Sequence, residues 1–127
     1  MRILIVDDEP DMVSMVGEWL ELRGYQVDRT ADSVRALEML KAVRYDLAFL
    51  DLSMPEITGL ELLDYIKKNS PETRAVMVSA YPYPLVEDLL AQAVGIDDYI
   101  AKPFRFEEIE RIVSKYKDGT PTQQKGA

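Results

Sequence analysis

Four apolar residues run directly into two aspartates near the start of this chain, in the stretch Ile3-Leu4-Ile5-Val6-Asp7-Asp8. The pattern recurs once, where Leu47-Ala48-Phe49-Leu50 leads into Asp51. A continuous apolar run of this length predicts a strand that is buried on both faces, as in a parallel sheet. The carboxyl ends of such strands form the crevice in which open α/β sheets bind ligands. Three carboxylates in one crevice oppose each other's ionisation, so the pattern predicts a cationic ligand.

The remaining sequence alternates strand-like and helix-like segments. We predict five strands, at Ile3–Val6, Tyr25–Arg29, Leu47–Leu50, Ala75–Val78 and Asp98–Ala101. The second strand alternates apolar and polar residues, which is typical of an edge strand. Strict alternation with five helices and short connections predicts an α/β fold, with a doubly wound, five-stranded parallel sheet.

Apolar residues at helical spacing predict the face that each helix buries. In chain order the five predicted faces are Met12, Val16, Trp19 and Leu20; Val34, Leu37 and Leu40; Gly59, Leu62, Leu63 and Ile66; Val86, Leu89, Leu90 and Ala93; and Ile109, Ile112, Val113 and Tyr116. Thr58 and Glu61 fit a capping box at the start of the third helix. Gly24 and Gly95 stand where helices are expected to end.

Length and composition restrict the class of protein. A chain of 127 residues is expected to form one domain, which we assign to residues 1–118, with a flexible tail or the start of a linker at 119–127. The net charge of −8 argues against nucleic-acid binding by this domain. The chain has no cysteine and no histidine, which excludes disulfides, thiolate chemistry and imidazole chemistry. We find no signal peptide or long apolar segment and expect a cytoplasmic protein without membrane contact.

Five polar residues are expected at one rim of the sheet, because each follows a predicted strand. They are Asp7, Asp8, Asp51, Ser79 and Lys102. Carboxylates suit Mg²⁺, which commonly joins a protein to a phosphate group. A hydroxyl and an ammonium supply the contacts that phosphoryl oxygens need. The set therefore predicts a Mg²⁺-dependent phosphoryl site.

Four segments together resemble the receiver domain of bacterial two-component response regulators, over residues 2 to about 117. They are Ile3-Leu4-Ile5-Val6-Asp7-Asp8-Glu9, Leu50-Asp51-Leu52-Ser53-Met54-Pro55, Val78-Ser79-Ala80 and Asp97-Asp98-Tyr99-Ile100-Ala101-Lys102-Pro103-Phe104. Any one of these segments alone is weak evidence for the family, but all four in this order are a specific signature of it. The resemblance implies a flavodoxin-like strand order, 2-1-3-4-5, and a signalling module rather than a metabolic enzyme.

The resemblance also implies a role for each site residue. Asp51 would accept a phosphoryl group from a partner sensor histidine kinase. Mg²⁺ would be bound by Asp8, Asp51 and the backbone carbonyl of Ser53, with Asp7 assisting through water. Ser79 and Lys102 would contact the phosphoryl group.

The resemblance implies that phosphorylation changes the conformation of one surface of the domain. Ser79 and Tyr99 would act as switch residues, and the surface formed by the fourth helix, fifth strand and fifth helix would rearrange to control an output domain or partner. That surface is also the expected site of a possible homodimer. The resemblance further implies a cis peptide between Lys102 and Pro103.

Three alternatives stay open on the sequence. A haloacid-dehalogenase-type phosphatase also uses an aspartate at a strand end with Mg²⁺, but it requires a second aspartate where Ser53 stands. A flavin-binding domain of the same topology would need a Ser-, Thr- or Gly-rich phosphate loop after the first strand, where Asp7-Asp8-Glu9-Pro10 would repel a phosphate. A degenerate receiver used only for docking would not need the complete set of site residues.

The stretch Tyr81-Pro82-Tyr83-Pro84 departs from the family pattern. Its prolines favour a rigid entry to the fourth helix, because proline fixes the backbone and removes a donor. A bulky Tyr81, two residues after Ser79, would hinder water near the phosphate. We therefore expect slow loss of the phosphoryl group, and an unchanged rate in Tyr81→Ala would contradict this.

Overall fold

The computed structural model describes residues 1–52, 54–80 and 95–117. Within these ranges the chain forms five strands and four helices. In chain order they are β1 (Arg2–Val6), α1 (Pro10–Glu21), β2 (Gln26–Thr30), α2 (Ser33–Ala42), β3 (Leu47–Asp51), α3 (Gly59–Asn69), β4 (Arg74–Ser79), β5 (Asp98–Ala101) and α4 (Phe106–Lys117). Helix α4 corresponds to the fifth predicted helix. The fourth predicted helix, Ser53 and the stretch Tyr81–Pro84 lie outside the described residues.

The strands form one parallel sheet in the order β2-β1-β3-β4-β5, which confirms the predicted topology. Each predicted strand agrees with the observed one to within one residue at either end. Two extensions matter for the site, because Asp51 and Ser79 are the last residues of β3 and β4 rather than the residues after them. The central strands are buried and β2 is half-buried, as the apolar and alternating patterns predicted.

The sheet carries a separate apolar layer on each face. One layer joins the sheet to α2 and α3, and the other joins it to α1 and α4. The predicted buried faces of α3 and α4 are confirmed, since all eight of their residues are buried. Burying apolar surface on both faces stabilises the strands and leaves their carboxyl ends as an accessible edge.

The predicted buried faces of α1 and α2 need correction. In α1, Val16 and Leu20 are buried as predicted, whereas Met12 and Trp19 are only half-buried. In α2 the prediction was wrong for Val34, which is 41% exposed. The residues that α2 buries are Ser33, Ala36 and Leu40, with Leu37 half-buried. The helix is therefore rotated relative to its apolar pattern, and a serine faces inward in place of the valine.

The predicted boundary signals are present. Thr58 Oγ1 accepts a hydrogen bond from the Glu61 N–H at 3.2 Å, and Glu61 Oε1 accepts one from the Thr58 N–H at 2.8 Å, which completes the capping box. Gly24, after α1, has a φ of +94°, the left-handed region that suits glycine at a helix end. Gly95 has a φ of +100°, but the helix predicted to end there lies outside the described residues. The Lys102–Pro103 peptide is cis. Among the described residues, no helix is long and apolar enough to span a membrane.

Candidate functional site

Three carboxylates lie together at the carboxyl edge of the sheet. Val6 pairs with Leu50, so the aspartates after β1 stand beside Asp51 at the end of β3. One carboxylate oxygen from each of Asp7, Asp8 and Asp51 lies within 4.8 Å of the other two. Asp7 is fully buried and Asp51 is 5% exposed, whereas Asp8 is exposed. The cluster is therefore open to solvent on the side of Asp8.

Lys102 reaches into this cluster from the segment after β5. Its Nζ lies 2.6 Å from Asp7 Oδ2, 3.2 Å from Glu9 Oε1 and 3.9 Å from Asp51 Oδ2. Burial alone would lower the pKa of Lys102, but the close ion pair with Asp7 and the charge of Asp51 outweigh it and raise that pKa. The lysine is therefore held as an ammonium ion and offsets part of the negative charge.

Ser79 and Tyr99 lie on the next two strands of the sheet, β4 and β5. Ser79 ends β4, is 1% exposed, and accepts a hydrogen bond at its carbonyl from the Lys102 N–H at 2.8 Å. This bond ties the backbone that carries the hydroxyl to the backbone that carries the ammonium. Tyr99 pairs with Met77 across β4 and β5 and packs, half-buried, against the apolar layer under α2 and α3. Ser53, the remaining predicted site residue, lies outside the described residues.

The cluster suits a hard divalent cation. The Lys102 ammonium lies within 4 Å of three carboxylates, those of Asp7, Glu9 and Asp51, and Asp8 adds a fourth carboxylate beside Asp7 and Asp51. Asp7 Oδ2 is buried and, although it forms the ion pair with Lys102, it accepts no well-directed hydrogen bond within the described part of the chain. Carboxylate oxygens at this spacing are the ligands that Mg²⁺ prefers. The donor set and the excess negative charge both fit such an ion.

Gly59, the first residue of α3, packs directly against the backbone carbonyl of Asp51. A Cβ atom on residue 59 would lie 2.1 Å from the Asp51 carbonyl oxygen and 2.9 Å from both the Asp51 carbonyl carbon and Met77 Cε. Real Cβ contacts do not come this close, and the Asp51 contact is with backbone that cannot turn away. Only glycine therefore allows α3 to begin directly against the end of β3.

Sequence reasoning missed the contact of Glu9 with Lys102. Glu9 stands in one of the quoted segments, but no role was assigned to it. Its side chain is 63% exposed, yet its carboxylate is within 3.2 Å of the Lys102 ammonium, 93 positions further along the chain. The acidic residue directly after the aspartate pair was the available signal, because it lies at the same sheet edge as the predicted lysine.

The parallel sheet and the residues at its carboxyl edge define a class of protein. It is an α/β domain with an acidic, lysine-containing cation site at the carboxyl ends of its strands. Comparison with known proteins agrees with this class. The response regulator receiver domain family matches residues 3–114. The chain therefore belongs to the response regulator receiver domain family and is a receiver domain of two-component signalling systems. The phosphatase and flavin-binding alternatives are set aside by this match.

Individual relatives support the assignment. The chain is 37% identical over 127 residues to the uncharacterized transcriptional regulatory protein YrkP of Bacillus subtilis, covering 98% of this chain and 53% of that protein. The first curated relatives are longer, and the chain spans about half or less of their length.

Solved structures show the same fold. The response regulator TrrA of Thermotoga maritima, determined in complex with Mg²⁺-BeF, is 36% identical, with a TM-score of 0.78 and coverage of 90% of this chain and 96% of that one. A CheY-like receiver domain protein of Methanospirillum hungatei JF-1 is 30% identical, with a TM-score of 0.84 and coverage of 93% and 94%.

Proposed function

We propose that Asp51 accepts a phosphoryl group in a Mg²⁺-dependent reaction with the phosphohistidine of a partner sensor histidine kinase. The observation that carries the proposal is the arrangement of Asp7, Asp8 and Asp51 within 4.8 Å of one another, with Lys102 3.9 Å from Asp51. The Mg²⁺-BeF complex of the relative TrrA supports it. The donor histidine would lie outside these 127 residues, which contain none.

The site residues divide into two groups in this proposal. Asp8, Asp51 and the backbone carbonyl of Ser53 would bind Mg²⁺ directly, and Asp7 would assist through water. When bound, Mg²⁺ supplies positive charge for the phosphoryl oxygens. Lys102 would donate to a phosphoryl oxygen as an ammonium ion, and the Ser79 hydroxyl would donate to another.

The reaction is a transfer between two nucleophiles. A carboxylate oxygen of Asp51 forms a bond to phosphorus, the bond from phosphorus to the kinase histidine nitrogen breaks, and the imidazole leaves with the electron pair. The product at Asp51 is an acyl phosphate. Attack of water on phosphorus later releases inorganic phosphate and restores the carboxylate. The protein thus catalyses its own modification and demodification, rather than the turnover of a metabolite.

Modification would change the charge balance at the sheet edge. Phosphorylation adds about −1.5 to −2 charge at pH 7 and strong acceptor oxygens. Lys102 and Ser79 are the groups placed to respond, and Tyr99 lies on β5 three residues before Lys102. We propose that Ser79 and Tyr99 transmit this event to the surface of β5, α4 and the fourth predicted helix.

The same surface is the proposed homodimer interface. Lys115 Nζ on α4 lies 3.1 Å from Asp98 Oδ2 on β5, and the hydrogen bond to Asp98 is the main reason why the pKa of Lys115 is raised. Asp97 pairs with Lys67 and Arg74, each at 3.4 Å, within the chain. A second copy would therefore compete with existing intramolecular pairs, so dimerisation should need activation.

We propose that residues 1–118 form the receiver domain and that residues 119–127 form a tail or the start of a linker. Relatives about twice as long that are named transcriptional regulators support control of an output domain or partner. The protein would act in the cytoplasm, where kinase domains and output partners are available, without itself binding nucleic acid or membrane.

Phosphorylation can be tested directly on the purified protein. Acetyl phosphate with Mg²⁺ should add one phosphoryl group to the wild type, observed by intact mass, and chelation of Mg²⁺ should abolish the gain. Asp51→Asn should remain unlabelled. Asp64→Asn is the matched control, because Asp64 is a surface residue paired with Lys68 on α3 and should be labelled normally. Labelling that survives Asp51→Asn would overturn the assignment, and Mg²⁺ binding without any labelling would favour a docking receiver.

A further inference from the structure

The loop that follows Asp51 has an unusual backbone conformation. Its start is tied to β4, because the Leu52 N–H donates to the Val78 carbonyl at 2.8 Å, and its end is tied back, because the Gly59 N–H donates to the Leu52 carbonyl at 3.3 Å. Between these ties, Glu56 has a φ of +69°, in the left-handed region that non-glycine residues rarely adopt. Such a conformation persists only where the surroundings hold it.

This part of the loop is held by a hydrogen bond of its own, from the Ile57 N–H to the Pro55 carbonyl at 2.8 Å, and by a buried hydroxyl on another helix. Ser33 Oγ donates to the Pro55 carbonyl at 2.8 Å and accepts from the Ile57 N–H at 3.1 Å. These are the backbone groups on either side of Glu56. Ser33 is 4% exposed and occupies the inward position on α2 that the sequence pattern gave to Val34.

Capping of α2 does not account for the buried serine. The cap of α2 is Asp32, whose Oδ1 accepts from the Val34 N–H at 2.9 Å and from the Arg35 N–H at 3.3 Å. The Ser33 hydroxyl makes both of its hydrogen bonds to the loop, 22 and 24 positions away in sequence. Its contacts therefore serve the loop after Asp51 rather than its own helix.

We propose that Ser33 is a positioning residue for the phosphorylation of Asp51. By bonding both sides of Glu56, it holds residues 55–57 in place between the nucleophile strand and α3, and so limits the movement of the loop that follows Asp51. The inference rests on the proposed function, because it assigns Ser33 a part in that reaction. It predicts that α2 and the Asp51 loop are energetically coupled through one hydroxyl.

Ser33→Ala tests the proposal by removing both hydrogen bonds with little change in volume. We expect a roughly 3- to 10-fold weaker Mg²⁺ affinity in calorimetry, because loss of the two bonds frees the loop. We also expect a roughly 3- to 10-fold lower rate of labelling by acetyl phosphate at saturating Mg²⁺, because small displacements of reacting groups are costly. Ser33→Thr keeps the hydroxyl and should restore most of both quantities.

Glu56→Gly provides a readout that a merely structural serine would not change. Glycine adopts a positive φ without strain, so the loop should then need less support from Ser33. The loss caused by Ser33→Ala should therefore be smaller in the Glu56→Gly background than in the wild type, for Mg²⁺ affinity and for labelling rate alike. Additive effects in this double-mutant cycle would overturn the proposal.

Asp32→Ala is the matched control, since it removes the cap of the same helix turn. It should lower the urea midpoint while leaving Mg²⁺ affinity and labelling rate within about twofold of the wild type. An equal loss of Mg²⁺ affinity in Asp32→Ala and Ser33→Ala would show that general helix stability is responsible. If Ser33→Ala does not fold, Ser33→Cys keeps the volume with much weaker hydrogen bonding and carries the same test. Absence of labelling in the wild type would contradict the proposed function itself, whereas wild-type labelling with an unaffected Ser33→Ala contradicts only the role of Ser33.

Discussion

Replacing Lys102 with methionine should destabilise the protein by leaving its carboxylates without their ammonium partner. Methionine keeps most of the apolar stem, so the change removes mainly charge and hydrogen bonding. The Lys102 side chain is 15% exposed, and its partners Asp7 and Asp51 are 1% and 7% exposed. Removing one member of a buried ion pair costs about 3–5 kcal/mol, because it leaves the other charge buried and unpaired. Because the cluster is open to solvent at Glu9 and Asp8, we expect the free energy of unfolding to fall by about 3 kcal/mol, the lower end of this range.

Urea unfolding without Mg²⁺ measures this loss. A slope of about 1–3 kcal/mol per molar urea turns 3 kcal/mol into a midpoint shift of roughly 1–3 M. Lys115→Met is the control, because its pair with Asp98 is 49% and 19% exposed and should contribute only about 0–1 kcal/mol. Adding Mg²⁺ should restore more stability to Lys102→Met than to the wild type, since the cation replaces the missing positive charge.

A second substitution shows whether the unpaired carboxylate is the cause. Asp7→Asn in the Lys102→Met background removes the most buried charge and should recover much of the lost stability. A Lys102→Met protein within about 0.5 kcal/mol of the wild type would refute the electrostatic reasoning. So would a double variant that is no more stable than Lys102→Met alone.

Three further predictions follow from local contacts. Gly59→Ala should lower the free energy of unfolding by about 1–3 kcal/mol and slow the labelling of Asp51, because its Cβ would overlap the Asp51 carbonyl; unchanged urea unfolding would contradict this. Glu56→Gly should raise the free energy of unfolding by up to about 1 kcal/mol by relieving the positive φ, and a loss of stability would contradict this. Burial and the 2.7 Å hydrogen bond to Asp28 raise the pKa of Tyr45, so its neutral form stabilises the fold fully below about pH 10 and less as pH rises further. The stability advantage of the wild type over Tyr45→Phe should therefore shrink above about pH 10 in urea titrations, and a constant difference would contradict the reasoning.

Hydrophobic patterning predicted the sheet well because the central strands are buried on both faces. Their sequences are continuously apolar, which predicts burial between two layers of helices, whereas the strand order was implied by the resemblance to the receiver family. The same burial explains why Asp51 and Ser79 were placed at the correct edge from sequence, although each proved to be the last residue of its strand. The five site positions follow from where strands end, and strand ends are marked by the change from apolar to polar residues.

Patterning failed where a polar side chain is buried for a tertiary reason. The stripe on α2 placed Val34 inside, whereas Ser33 lies inside and Val34 is 41% exposed. The hydrogen bonds of Ser33 join residues more than 20 positions apart, and the spacing of apolar residues cannot predict them. The contact of Glu9 with Lys102 was missed for a similar reason, since it spans 93 positions. Local pattern predicts which residues leave water, while the partners of polar groups depend on the completed fold.

Chemical trapping of the acyl phosphate tests most directly whether Asp51 becomes phosphorylated. Borohydride reduction of the protein after treatment with acetyl phosphate and Mg²⁺ converts an acyl phosphate to homoserine, which peptide mass spectrometry can locate. We expect homoserine at position 51, dependent on Mg²⁺ and absent without acetyl phosphate. Reduction at Asp7, at Asp8 or at any other acidic residue in place of Asp51 would contradict it.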